Sequence, residues 1–115
     1  MEGRLGTVHV SPQVLATTAR LATHAVPGVV RMFRDLSSGV DRLLRGRSAA
    51  DGVRIEIVDD AVSVDLYVVA AHDVNLYEVG RQIQSRVART IKEIVGMPVL
   101  AVNVHFEDVE HAPSP

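Results

Sequence analysis

The clearest pattern in the chain is the alternation of apolar and polar residues between positions 53 and 69. A period of two predicts β-strands that bury one face and leave the other face in water. The pair Asp59-Asp60 interrupts the alternation and supplies a turn. The segment is therefore predicted to be a β-hairpin with one wet face. Its apolar side carries Val53, Ile55, Ile57, Val62, Val64, Leu66 and Val68.

Two other stretches carry apolar residues at three- and four-residue steps, which predicts two amphipathic helices. The first follows Ser11-Pro12, a favourable cap and first helical residue, and ends at Pro27-Gly28. The second follows Asn75, with Glu78 as its capping-box partner, and ends at Gly96. Their apolar stripes comprise Val14, Leu15, Ala19, Ala22 and Val26, and then Leu76, Val79, Ile83, Val87, Ile91 and Ile94.

Two more alternating segments complete the predicted sheet, one from Leu5 to Val10 and one from Val99 to Glu107. The elements then follow the order β-α-β-β-α-β. A crossover through a helix is almost always right-handed and leaves its two strands parallel. The sequence therefore predicts a two-layer α+β sandwich, in which a mixed sheet of about four strands carries both helices on one face.

The opposite face of the sheet is predicted to be polar enough to stay in water or to meet a partner. Tyr67, Asn103 and His105 are the candidate partner contacts on this face. The whole predicted face comprises Thr7, His9, Arg54, Glu56, Ser63, Asp65, Tyr67, Asn103 and His105.

Residues 30–51 form a looser basic segment, predicted to be a mobile or partly helical connection. Arginines alternate there with apolar residues, as in a basic amphipathic patch that meets an anionic membrane surface or an acidic partner helix. The simpler interpretation is that the apolar residues cover the edge of the core. The candidate contacts of this segment are Arg31, Arg34, Arg42, Arg45 and Arg47.

Composition narrows the class of protein. The chain has 115 residues, 47% of them hydrophobic, a size and composition that suit one domain. Its formal net charge of −2 gives no overall positive potential that would attract nucleic acid. We expect a single domain over residues 1–109 and a disordered tail over residues 110–115. The absence of cysteine excludes disulfides and thiolate catalysis. No apolar run approaches the roughly twenty residues of a spanning helix, so we expect no transmembrane segment and an intracellular location.

Metal-binding or catalytic groups are sparse in the sequence. His9 and His105, with Asp65 or Glu56, could hold a metal ion if their strands are neighbours, but exposed histidines on a polar sheet face are the commoner explanation. The pair His72-Asp73 lies in a loop with no nucleophile beside it in the sequence and more simply shapes a turn. We therefore expect no catalytic residues, no metal and no cofactor.

Nucleic-acid binding is also disfavoured. The Gly-x-x-Gly spacing of KH domains occurs only at Gly3-Arg4-Leu5-Gly6, near the start of the chain rather than between two helices. Aromatic residues make up 3% of the chain, so base-stacking platforms are scarce.

Several short motifs follow one another in a characteristic order and spacing along nearly the whole chain. They are Gly6-Thr7-Val8-His9-Val10-Ser11, Val26-Pro27-Gly28-Val29, Gly52-Val53, Val64-Asp65-Leu66-Tyr67-Val68-Val69, Val74-Asn75, Val79, Ile83-Gln84, Val87 and Val102-Asn103-Val104-His105. In this order and spacing the chain resembles the alkaline-shock-protein or Gls-type family of bacterial envelope stress response proteins, most common in Gram-positive bacteria. One departure is His24-Ala25, where members of that family usually carry an acidic residue before Val-Pro-Gly.

The resemblance implies a non-enzymatic cytoplasmic interaction protein, gathered in some cases at the inner side of the membrane by a separate membrane-anchoring partner. We therefore expect a protein that self-associates or docks on such a partner. The alternative is a regulator that binds an enzyme of fatty-acid biosynthesis such as acetyl-CoA carboxylase. The resemblance supplies no catalytic residues to transfer to this chain.

Overall fold

The computed structural model describes residues 5–34 and 51–111. Within these ranges the order is helix α1 (Pro12–His24), strands β1 (Val29–Met32), β2 (Val53–Val58) and β3 (Ala61–Ala71), helix α2 (Leu76–Thr90), a π-helical segment (Ile91–Val95) and strand β4 (Val99–Glu110).

Strand β3 is the centre of a four-stranded mixed sheet. One edge of β3 pairs antiparallel with β2 through its first half and with β1 through Val68–Ala70. Its other edge pairs parallel with β4 along nearly the whole length. The predicted hairpin, the parallel crossover and the two-layer α+β architecture are thus confirmed.

Both helices cover one face of the sheet, where the core lies. On β3 this face presents Val62, Val64, Leu66 and Val68, all fully buried. Helix α1 contacts β1 and β2, while α2 contacts β4 and α1. Most residues of the predicted stripes enter the core: Leu15, Ala19 and Ala22 from α1, and Val79, Ile83 and Val87 from α2, continued by Ile91. Val14 and Ile94, also predicted in the stripes, are instead 48% and 74% exposed.

Both helix starts and the end of the second helix are capped at the predicted residues, whereas α1 ends at His24, before the predicted stop at Pro27-Gly28. The Ser11 side chain accepts a hydrogen bond from the Val14 N–H, and Asn75 Oδ1 accepts one from the Glu78 N–H at 3.0 Å. Gly96 closes the second helix in the left-handed conformation, with φ of 82°. Because these caps satisfy helix-end donors and acceptors from nearby residues, the sequence alone could locate them.

The predicted first strand is wrong. Leu5 to Val10 is not part of the sheet: Leu5 lies in a bend, Gly6 has φ of 96°, and Leu5 and Val8 are 92% and 94% exposed. The first strand is instead β1, inside the segment predicted to be loose. Gly28, with φ of 99°, turns the chain back, and its carbonyl accepts a hydrogen bond from the Ala71 N–H at 2.9 Å. Four residues are too few to reveal a period of two, so β1 carried no readable pattern.

The C-terminal boundary also differs from the prediction. Strand β4 continues through Glu110, which pairs with Ala71, instead of ending at Glu107. Residues 112–115 of the predicted tail, and residues 35–50 of the predicted loose segment, lie outside the described ranges.

Candidate protein-interaction surface

The sheet face that the helices leave uncovered is called the open face. Alternation along β3 places Ser63, Asp65 and Tyr67 on it, opposite the core residues. The parallel register with β4 then brings Asn103 beside Asp65 and His105 beside Tyr67. The three predicted contacts Tyr67, Asn103 and His105 therefore lie together in the structure.

Asp65, Tyr67 and His105 form a connected cluster on the open face, called here the aromatic cluster. The Tyr67 and His105 rings stack with centroids 4.6 Å apart and planes 12° from parallel. His105 Nε2 lies 3.0 Å from Asp65 Oδ1, so the ring donates to the carboxylate when Nε2 carries a proton. The side chains of His105 and Asp65 remain 41% and 25% exposed. The cluster is therefore held in one arrangement while its surface stays accessible.

This arrangement is suited to protein contacts. Tyrosine offers a large flat surface together with a hydroxyl group, a combination enriched in interfaces. Because stacking and the Asp65 contact already restrain the rings, docking costs less side-chain entropy than it would with free side chains. Asn103, next to the cluster, and Arg54, opposite Asp65 in the β2 register, are both exposed and add polar groups to the same surface.

Arg31 lies on the open face near Val69, at the end of β3 beyond the aromatic cluster. Its Nε and Nη2 donate to the two carboxylate oxygens of Glu110, each at 3.2 Å. Since β1 and β4 lie on opposite sides of β3, this bidentate pair crosses over the central strand. The crossing helps to explain why Val69, an apolar residue on the open face, is fully buried. Arg31 is thus partly committed to an internal contact.

Arg34 lies in a different place. Together with Arg20, His24 and Arg31 it lines a shallow pocket of about 290 Å³ beside β1, in which Asp51 also takes part. This pocket is a basic surface at the edge of the sheet. The other predicted contacts, Arg42, Arg45 and Arg47, lie outside the described residues.

The structure removes the geometric basis of the metal hypothesis. His9 lies in the N-terminal segment before α1 instead of in a neighbouring strand, and Thr7 likewise is not on the open face. Within residues 5–34 and 51–111, no three histidine or acidic side chains come together as a metal site. His72 packs edge-on against His111, with ring centroids 4.1 Å apart, at the loop after β3.

Two residues that make contacts on the open face, Asp65 and Glu110, were not among the predicted partner contacts. Asp65 was placed on the correct face by its alternation, but its contact with His105 depends on the β3–β4 register. Glu110 was placed in the tail. A bulge at Glu107 shifts the alternation so that Asp108 and Glu110 return to the open face. No pattern in the sequence predicts that bulge.

These features define a small α+β domain whose open face carries a stacked, partly exposed aromatic cluster. The model of the alkaline shock protein 23 family, described by its cell envelope-related function, matches residues 1–111. The chain belongs to this family.

Curated relatives agree with this assignment. The uncharacterized protein Spy1614 of Streptococcus pyogenes is 30% identical, with 91% of this chain and 88% of that protein covered. YqhY of Bacillus subtilis, also uncharacterized, is 24% identical, and the match covers 92% of this chain and 78% of the YqhY sequence. A stress response regulator gls24 homolog of Streptococcus pyogenes is 31% identical over 61% of this chain and 39% of its own. The predicted relation to envelope stress response proteins is confirmed.

Among solved structures, a MamM CTD in a copper form superposes with a TM-score of 0.59 at 14% identity, covering 87% of this chain and all of that one. This likeness shows a shared fold. In the part of the chain that the structure describes, neither helix is both long enough and apolar enough to span a membrane.

Proposed function

We propose that this protein is a non-enzymatic interaction protein of the envelope stress response. It docks on a membrane-anchored protein partner, or on further copies of itself, at the inner face of the cell membrane. The open face supplies the contact surface. The cell envelope-related family supports the biological setting.

The stacked Tyr67–His105 pair is the observation that carries this proposal. An isolated exposed aromatic ring needs no explanation, but two stacked rings held by a carboxylate keep their shape before a partner arrives. Preorganised aromatic side chains are frequent centres of binding energy in protein interfaces. The role assigned to the cluster is therefore that of the central contact.

The basic residues contribute a second contact in this proposal. Arg34 and the pocket beside β1 present positive charge near the start of the arginine-rich segment. Positive charge at the surface attracts anionic lipid head groups or an acidic partner and speeds association at low salt. The open face would give specificity, and the arginines would give orientation toward the membrane.

Affinity capture of the full chain from fractionated cells, followed by mass spectrometry, tests this proposal. The variant Tyr67→Thr/His105→Thr should lose the partner, because it removes both rings while keeping strand-compatible residues. Tyr77→Thr is the matched control, since Tyr77 is an aromatic residue 74% exposed on α2, in the helix layer and away from the open face. A third variant changes Arg31, Arg34, Arg42, Arg45 and Arg47 to glutamine and should reduce recovery from the membrane fraction.

The outcomes separate the hypotheses. A small membrane protein recovered with wild type and Tyr77→Thr, but not with the double variant, supports docking through the open face. Equal capture by all variants contradicts it. Recovery of acetyl-CoA carboxylase subunits from the soluble fraction would instead support the metabolic-regulator alternative.

A further inference from the structure

Strand β4 has an outer edge that no other strand covers within residues 5–34 and 51–111. The backbone directions at this edge follow from the hydrogen bonds of β3. The N–H and carbonyl groups of Tyr67 both bond toward the β1 and β2 side, each at 2.8 Å. Leu66 and Val68 therefore bond toward β4, to the residues that flank their opposite neighbours. Those neighbours are Val104 and Phe106, whose backbone groups consequently point outward.

The free part of this edge is short. At one end Gln84 Nε2 donates to the Val102 carbonyl oxygen at 3.1 Å, so that edge group is already occupied. At the other end the bulge at Glu107 interrupts the regular register. Between these limits the outward backbone groups of Val104 and Phe106 have no partner in the part of the chain that the structure describes. Unpaired edge groups of this kind accept the backbone of an added segment.

A groove runs beside the free edge, between α2 and β4, with a volume of about 510 Å³. Leu76, Val104 and Phe106 give it apolar walls. Gly80 keeps it open, because a Cβ at that position would already lie 3.4 Å from the Phe106 ring. Val104 and Phe106 thus offer backbone groups and apolar side chains to one occupant.

The groove also carries a positive charge. Arg81 is the one charged residue among the described residues that line it. Its guanidinium lies 5.2 Å from the ring centroid of Tyr77, which stands at the rim and is 74% exposed. No carboxylate within the described ranges forms an ion pair with Arg81. Apolar walls with one cation are complementary to apolar side chains accompanied by a carboxylate.

We propose that this edge and groove bind an extended segment of a protein partner, with apolar residues at alternate positions and an acidic residue on the same side. The backbone of the segment pairs with Val104 and Phe106 as an added strand, a recurring mode of peptide recognition. Alternate side chains of a strand point to one side, so two apolar side chains enter the groove together. The acidic residue meets Arg81.

A peptide fits better than a small amphiphile. An apolar chain with a carboxylate could occupy the groove and contact Arg81, but it has no backbone to pair with Val104 and Phe106. An extended peptide satisfies the edge groups, the apolar walls and the charge at once. The bulge and the Gln84 contact limit the added strand to a few residues, which prevents continued pairing along β4.

This contact is additional to the one in the proposed function. The groove lies on the helix side of β4, whereas the aromatic cluster lies on the open face. A binding assay with purified protein and a synthetic peptide contains no membrane partner, so its failure affects the groove alone. Loss of membrane-partner capture through Tyr67 and His105 affects the open face alone.

Amide hydrogen exchange, followed by NMR, tests the strand pairing. The probe is the end-capped peptide Glu-Thr-Leu-Thr-Leu-Thr-Glu, which places both leucines and both glutamates on one side. The N–H groups of Val104 and Phe106 should exchange quickly in the free protein and slowly with the peptide. Those of Asn103 and His105, which bond β3, should exchange slowly in both. Peptide binding without protection of Val104 and Phe106 overturns the inference.

Matched variants test the groove and its charge. Gly80→Leu fills the groove and should weaken peptide binding at least about tenfold, whereas Ser85→Leu, at an exposed position of the same helix, should bind like wild type. Arg81→Glu should weaken binding of this peptide and strengthen binding of its lysine counterpart. Arg86→Glu, also on the exposed surface of α2, should do neither. Circular dichroism checks that each variant is folded.

Four results overturn the inference. The first is wild type that binds neither peptide, or binds the lysine peptide equally well, and the second is Gly80→Leu that is folded and binds like wild type. The third is decanoate that binds in the groove while the peptide leaves Val104 and Phe106 unprotected, which assigns the groove to a small amphiphile. The fourth is protection that grows with protein concentration in the absence of peptide, which assigns the edge to a second copy of the chain.

Discussion

The two faces of strand β3 serve different purposes. Toward the helices, Val62, Val64, Leu66 and Val68 are fully buried, and each contributes to the core. On the open face Ser63, Asp65 and Tyr67 remain partly exposed. Burial of apolar area stabilises the fold, whereas partly exposed polar contacts contribute little to stability. The comparison teaches that surface contacts can change here while the fold is kept.

Replacement of one core residue should have the largest effect. Leu66→Ala removes a fully buried side chain and leaves a cavity, and we expect a loss of about 2–5 kcal/mol in the free energy of unfolding. Ser63→Ala, on the opposite face of the same strand, should change it by less than about 0.5 kcal/mol. Urea unfolding of both variants measures the difference. Comparable losses would mean that the open face also supports the fold.

An intermediate effect should come from Gly28, which lies against the helix layer. A Cβ there would be 3.0 Å from Val79 Cγ2, and φ is 99°. We expect Gly28→Ala to destabilise by about 1–3 kcal/mol. Gly96→Ala is the matched control, because φ is 82° but nothing lies within 4 Å. Thermal unfolding should show the larger loss at Gly28, and equal losses would leave the Val79 contact without a role.

The smallest effect should be the coupling between His105 and Asp65. A double-mutant cycle with His105→Ala and Asp65→Ala should give an interaction free energy of about 0.2–1 kcal/mol, because both side chains are partly exposed and solvent screens the contact. Added salt should reduce it. A coupling of several kcal/mol would place the open face among the determinants of stability and remove the contrast with the core.

Prediction from the sequence succeeded where the decisive interactions are local or periodic. The hairpin at Asp59-Asp60, the caps at Ser11 and Asn75 and the end of the second helix at Gly96 each depend on residues a few positions apart. The candidate contacts Tyr67 and His105 were also placed on the correct face, since alternation alone assigns a face.

Prediction failed where a second segment decides the outcome. Leu5 to Val10 alternates like β2, yet β2 has a partner strand in β3 and the N-terminal segment has none within the described residues. Val29–Met32 carries no clear pattern, yet it pairs with β3 because Gly28 directs it there. The contact of Arg31 with Glu110, which is 79 residues away in the sequence, depends likewise on the bulge at Glu107.

The sequence by itself determined most of the residues that leave water, because burial follows largely from the periodic spacing of apolar side chains along each element. The exceptions Val14, Ile57 and Ile94 have apolar spacing but stay exposed, because no other element packs over them. It also determined the family and the likeness of the chain to envelope stress proteins. Only the tertiary structure decided which strands pair, which rings stack and which edge stays open. Pairing is a non-local choice among segments with similar local preferences, and it is settled by backbone hydrogen bonds and packing that form only when the segments meet.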